Sequence, residues 1–261
     1  MGNSLLWVRA AAPLTLTDKE LHVWRASLDL PPALLQRLAK TLRADENERA
    51  GKFLIAQARE RFVAARGILR QLLGMYLGLD PDKIDFRYGP QGKPSLLATH
   101  ESKVSFSVSH SHGMGLFAFC GGGEVGVDIE EVKADFKGMQ IASHFFSEIE
   151  IDKLARLPPE QVNEAFFECW TGKEAYVKAR GEGLSLPLRN FSIGFGNGEQ
   201  VLRDEVGRTW SCYALEPAPG FTGAVVAAGE GWSLRYYDWS PAVEIETSAS
   251  LPKYIFETGV N

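Results

Sequence analysis

Two long stretches of helical periodicity, Ala56–Leu77 and Pro159–Arg180, constrain this chain more than any other feature. In the first, Phe62, Ala65, Ile68, Leu69, Leu72, Leu73 and Tyr76 recur at the spacing of one helical face. Arg59, Arg66 and Arg70 fall largely outside that stripe. Gly78 stops the first run and Gly181-Glu182-Gly183 stops the second, because glycine tolerates the left-handed turn that ends a helix. Strand-like segments follow each run: 104–108, 116–119 and 125–129 after the first, and 191–195, 209–215, 223–228 and 233–239 after the second. Gly121-Gly122-Gly123 predicts a hairpin joining 116–119 to 125–129.

The remaining elements are shorter. Residues 22–28 alternate as a strand, and Pro31-Pro32 opens a helix toward Thr41. Asp45 is an N-cap candidate, and Ser147 with Glu150 forms a capping box for a helix over 147–157. The stretch before Ser147 reads as a linker, and the last twenty residues as a loose tail. The two halves thus share an outline of one long helix plus several strands. They also share a tripeptide, Ala65-Arg66-Gly67 and Ala179-Arg180-Gly181. Three shared residues leave internal duplication open.

Composition narrows the class. A chain of 261 residues corresponds to one or two domains at about 150 residues each and buries a core without disulfides. Cys120, Cys169 and Cys212 are isolated, which argues against a disulfide framework or a zinc ribbon. No apolar run spans a bilayer. The first residues lack a basic n-region, and Leu6 stands where myristoylation needs Ser or Thr, so a cytoplasmic protein is expected. A net charge of −5 and a pI near 5.6 support neither a nucleic-acid nor a membrane partner.

Three segments carry candidate chemistry. In Gly126-Val127-Asp128-Ile129-Glu130 the two acids share one face of a strand, about 6.6 Å apart along the backbone. They are placed to hold a hard cation, or to form a solvated polar face. In Trp170-Thr171-Gly172-Lys173-Glu174-Ala175-Tyr176-Val177-Lys178, Glu174 and Lys178 are neighbours one turn apart. Lys173 falls inside the apolar stripe, so it needs an anionic partner, a phosphate or a carboxylate. Gly172 beside it suggests close approach by another group. Ser105 to His112 alternate small polar and apolar residues, and Ser109-His110-Ser111 marks the strand end. No hydrolase elbow is present, and no further ligand spacing supports a metal at His110 and His112.

Taken together, Gly92-Lys93-Pro94, Ser107-Val108-Ser109-His110-Ser111, Gly126-Val127-Asp128-Ile129-Glu130, Phe145-Phe146-Ser147, the 170–178 block and Gly183-Leu184-Ser185-Leu186-Pro187-Leu188 occur in the order and spacing of a known family. Over residues 45–195 the chain resembles the 4′-phosphopantetheinyl transferases of the surfactin-synthetase-activating type. The resemblance implies an α+β fold of two similar α/β subdomains packed as an intramolecular pseudo-dimer. The halves would be 1–121 on the coenzyme A side and 122–261 with the metal-binding acids. It implies a monomer that transfers 4′-phosphopantetheine from coenzyme A to a serine of an apo acyl or peptidyl carrier protein, releasing adenosine 3′,5′-bisphosphate.

By the same resemblance, Asp128, Glu130 and Glu174 would hold Mg²⁺, with Mn²⁺ possible by its similar oxygen preference. Glu174 would be the general base, with Glu130 acting through a water as the alternative, and Lys178 would serve the leaving phosphate. Lys173 would contact the diphosphate or the cleft wall. Ser109, His110, Lys93, Arg61 and Arg49 would bind the coenzyme, His110 on a phosphate and Arg49 at the 3′-phosphate. Two rival readings stand beside this one. A metal-dependent nuclease would need the acids of Asp128 and Glu131-Val132-Lys133 spread over more than one short segment. A non-catalytic carrier- or nucleotide-binding module is disfavoured by the intact set of Asp128, Glu130, Glu174 and Lys178.

Overall fold

The computed structural model describes residues 6–10, 14–194 and 199–241. The first half opens with β1 (Val8–Arg9) and the largely buried β2 (Glu20–Ser27). Pro32 supplies the preset φ of the first turn of α1 (Pro32–Ala39). Helix α2 (Ala44–Gly51) starts two residues before the position expected from an Asp45 cap. Arg43 occupies the cap, and Asp45 lies in the first turn, where a carboxylate favours the positive helix end. Helix α3 (Ala56–Leu77) has the bounds its periodicity predicts and ends on Gly78 at φ 65°. The hairpin of β3 (Phe86–Tyr88) and β4 (Pro94–Leu96) holds the Gly-Pro-Gln-Gly-Lys loop, and β5 (Val104–Ser111) and β6 (Met114–Gly121) follow.

The second half runs β7 (Val125–Glu131), α4 (Gly138–Phe145), α5 (Glu148–Ala155), α6 (Pro159–Arg180), β8 (Glu199–Arg203), β9 (Thr209–Leu215), β10 (Phe221–Ala228) and β11 (Ser233–Asp238). Helix α4 lies in the stretch read as a linker. It has no side-chain cap and is held by packing of Ala142 among Phe146, Phe166 and Phe167. No strand forms over 191–194. Residue 195 and the expected tail over 242–261 lie outside the described residues.

Besides the two-stranded β3–β4 sheet, two larger sheets result among the described residues, one ordered β1-β11-β2-β6-β5 and the other β7-β10-β9-β8. The hairpin expected between β6 and β7 does not form. Gly122 and Gly123 take positive φ and carry the chain from one sheet to the other, where β7 pairs with β10. Leu21, Val23, Leu116 and Ala118 of the first sheet pack against Val127, Ile129, Leu215 and Val225 of the second. Strand β11 returns to the first sheet, parallel to β2 and β1. The two halves are therefore laced by the chain as well as by their core.

The halves are structural repeats. In each, an initial strand (β2, β7) pairs antiparallel with a third (β6, β10), which pairs antiparallel with a second (β5, β9). Helices α3 and α6 both have 22 residues and end on a left-handed glycine. In both halves the third residue of an eight-residue helix is a buried glutamate, Glu46 or Glu150, whose carboxylate accepts from the cap-residue backbone N–H. Each glutamate pairs with a buried cation at the same position of the long helix. Arg70 meets Glu46 at 2.7 Å, and Lys173 meets Glu150 at 2.8 Å. Each cation also donates to two backbone carbonyls of the segment beyond its helix: Pro81 and Ile84, or Leu188 and Phe191. The shared Ala-Arg-Gly tripeptide is not part of this register, since Gly67 is in mid-helix and Gly181 is a cap.

Candidate active site

Edge strand β5 of the first sheet lies beside edge strand β7 of the second, and no backbone ladder joins them. Serine side chains bridge the seam. The Ser107 Oγ accepts from Val127 N–H at 3.1 Å, and the Ser109 Oγ donates to Asp128 Oδ1 at 2.8 Å. The Ser111 Oγ donates to Glu130 Oε2 at 2.9 Å and accepts from Glu131 N–H at 3.3 Å. The strand alternation explains the match: residues 107, 109 and 111 share a face, as do 128 and 130.

Gly126 brings helix α6 against this strand. A Cβ there would overlap the Ala175 carbonyl oxygen and the Ala179 backbone nitrogen, so only glycine lets β7 lie directly on α6. The consequence is that Glu174 and Lys178 of α6 face Asp128 and Glu130. Lys178 Nζ lies 2.6 Å from Asp128 Oδ1 and donates to Ser109 Oγ at 2.8 Å. Its side chain is one-third exposed, so the ammonium also reaches the cleft. A cavity of about 320 Å³ opens here between Gln91, Pro94, Phe106, Glu174, Val177 and Lys178. A larger groove of about 700 Å³ lies beyond Lys93 and Pro94 and contains none of the three acids.

Electrostatics set the acids apart from ordinary surface carboxylates. Burial raises the Glu174 pKa and the charge of Asp128 adds to it, while Lys178 opposes. Glu130 is raised by burial and by Asp128, with the Ser111 hydrogen bond opposing. His110 is held below the usual histidine value by burial and by the nearby charges of Lys178, Arg49 and Arg61. His110, exposed near the end of β5, thus sits among cations, an arrangement suited to an anionic ligand.

The donor set fits a hard divalent cation. Asp128 Oδ2 is buried without a hydrogen-bond partner, a costly state that a cation would relieve. The three acids offer only oxygens, which Mg²⁺ and Mn²⁺ prefer. Among the described residues no three such side chains are already gathered at one ligand point, and Lys178 holds the other Asp128 oxygen.

Other expected site residues are placed differently. Lys173 is fully buried, as its position in the stripe demands, but it meets Glu150 and two carbonyls rather than the cleft. The close approach that Gly172 allows is by Ile193, whose Cγ2 would lie 2.9 Å from a Cβ. The Lys93 ammonium donates to the carbonyls of Val125, Lys178 and Ala179, so its three N–H groups are taken up by backbone. Burial lowers its pKa to about 8. Arg61 is held by Asp29 through two bonds of 2.7 and 2.8 Å. Arg49 is exposed, its guanidinium over the Phe62 ring. Sequence reasoning missed two links: the Ser107 and Ser111 bonds, signalled by the serine alternation, and Glu150 as the Lys173 partner, hidden behind its capping role.

Comparison with known proteins places the geometry. Residues 124–227 match the model of the 4′-phosphopantetheinyl transferase superfamily, and residues 26–119 match that of the 4′-phosphopantetheinyl transferase N-terminal region. The chain is 38% identical over 234 residues to the 4′-phosphopantetheinyl transferase HetI of a Nostoc species, covering 89% of this chain and 98% of that protein. It is 32% identical over 203 residues to the 4′-phosphopantetheinyl transferase Sfp of Bacillus subtilis, covering 72% and 88%.

Proposed function

The chain belongs to the 4′-phosphopantetheinyl transferase superfamily, and we propose that the seam between its halves moves phosphopantetheine from coenzyme A to a serine hydroxyl of an apo carrier protein. The supporting observation is the juxtaposition of Asp128 and Glu130 of β7 with Glu174 and Lys178 of α6, the last two lining the cavity, with Asp128 Oδ2 left buried and unpartnered. Asp128, Glu130 and Glu174 would hold Mg²⁺ or Mn²⁺. A bound cation supplies charge neutralisation at the pyrophosphate.

The chain's own residues do the rest. The serine oxygen forms a bond to the β-phosphorus, the bond from that phosphorus to the bridging oxygen breaks, and adenosine 3′,5′-bisphosphate leaves with the bonding pair. Glu174, which lines the cavity beside Lys178, takes the serine proton, with Glu130 acting through a water as the alternative base. Lys178 follows the leaving phosphate with its partly exposed ammonium. Arg49, Arg61 and His110 bind the coenzyme phosphates, and the loop around Lys93 lines the cavity wall. The cleft is completed within one chain, which makes a monomer sufficient. Three buried free cysteines accord with a reducing cytoplasm. No helix among the described residues is long and apolar enough to cross a membrane.

Intact-mass spectrometry tests the reaction. An apo carrier protein incubated with this protein, coenzyme A and Mg²⁺ gains one phosphopantetheine group, and a chelator abolishes the gain. No gain on acyl and peptidyl carriers alike overturns the reading.

A further inference from the structure

We infer that Ser111 is a positioning residue for Glu130, fixing from the first half of the molecule a carboxylate that the second half contributes to the cation site. The inference rests on the proposed role of Asp128, Glu130 and Glu174. Its basis is the seam itself. Strand β5 and strand β7 are both sheet edges, and edge strands leave backbone donors unpaired. Ser107 and Ser111 satisfy two of those donors, at Val127 and Glu131. Ser111 alone does a second thing with the same oxygen. While accepting from Glu131 N–H it donates its single proton to Glu130 Oε2. His112 Nδ1 also lies 3.3 Å from this oxygen, but the Glu130 carboxylate at 2.9 Å is the nearer acceptor, so the Ser111 bond holds Glu130 relative to the β7 backbone.

The remaining surroundings point the same way. Ser111 is 8% exposed, so water does not compete for the bond. Among the described residues, the hydrogen bond that Glu130 accepts comes from Ser111. Asp128 by contrast is held by both Ser109 and Lys178. A glutamate has one more rotatable bond than an aspartate, so Glu130 is the acid that gains most from an external tether. Hydrogen-bond partners behind a metal ligand commonly change metal affinity by one to two orders of magnitude when removed.

The test compares Ser111→Ala with Ser107→Ala in the full chain. Ser107 bridges the same seam by accepting from the Val127 backbone N–H and is hydrogen-bonded to none of the acids, so it reports on seam integrity. Mn²⁺ is the probe, its free concentration read by electron paramagnetic resonance with coenzyme A present, and both variants are melted in parallel. The inference expects Ser111→Ala to weaken Mn²⁺ binding about tenfold. It expects Ser107→Ala to keep the wild-type affinity even where its melting temperature falls. Unchanged Mn²⁺ affinity in Ser111→Ala overturns the inference, as does equal weakening in both variants, which would make the effect one of general seam loosening. Failure of the wild-type protein to bind Mn²⁺ would instead remove the cation reading on which the inference rests.

Discussion

At the scale of single residues, the two lysines of the 170–178 block divide between chemistry and structure. Lys178 lies against Asp128 in the cleft, while Lys173, five residues earlier, closes a buried ion pair with Glu150. Replacing Lys173 by Met leaves Glu150 charged and buried, and the folded state should lose about 3 kcal/mol in urea unfolding. Coenzyme affinity of the folded variant should match wild type, since the ammonium does not face the cleft. A weakened coenzyme affinity with unchanged stability would reverse that assignment. Glu174→Gln keeps the shape of the side chain but removes its basicity. Transfer should fall about a hundredfold or more with an unchanged melting temperature, as read by carrier mass and circular dichroism. The burial of Lys173 was legible from its place in the apolar stripe. Its partner was not, because Glu150 already had a local role as the third residue of its helix.

At the scale of elements, the site depends on a strand lying directly on a helix. Gly126→Ala would force the added methyl into the α6 backbone at Ala175 and Ala179. Strand β7 and helix α6 would separate, at a cost of about 1–3 kcal/mol. Because Asp128 and Glu130 ride on the strand and Glu174 on the helix, the same change should lower transfer more than the loss of stability accounts for. Thermal melting beside carrier mass measurements separates the two effects, and retained activity in a destabilised protein would show that the site tolerates the shift. Lys93 acts at the same scale. Its ammonium ties the start of β7 and the end of α6 to the β3–β4 loop, through carbonyls of Val125, Lys178 and Ala179. Both long helices were read with their observed bounds, since capping and periodicity act within a few turns. Helix α4 escaped detection because packing on α6, rather than any cap, holds it.

At the scale of the whole molecule, acid stability offers a test of the core. His22 Nδ1 lies 2.8 Å from Tyr76 Oη, which also accepts from Trp24 Nε1, and the ring is buried in the core. Burial lowers its pKa from 6.5 to about 4. Between those values the unfolded chain binds the proton and the folded one does not. The contribution is therefore fully present above pH 6.5 and is lost as the pH falls toward 4, up to about 3 kcal/mol. Urea unfolding across this range should show a shallower pH slope in His22→Gln than in wild type; equal slopes would mean that His22 is already protonated in the fold. The repeat of β2-β6-β5 in β7-β10-β9 explains why two such cores share one cleft. The sequence by itself determined the two long helices, the face shared by Asp128 and Glu130, the one-turn spacing of Glu174 and Lys178, and the ordered motifs of the family. Each of these depends on neighbours within a few turns of chain or on residue identity alone. Only the tertiary structure decided that β7 leaves β6 to pair with β10, that Ser111 faces Glu130, and that Lys93 reaches a carbonyl 85 residues away. Those choices follow from which apolar faces bury one another, and a short strand's own pattern is compatible with several partners.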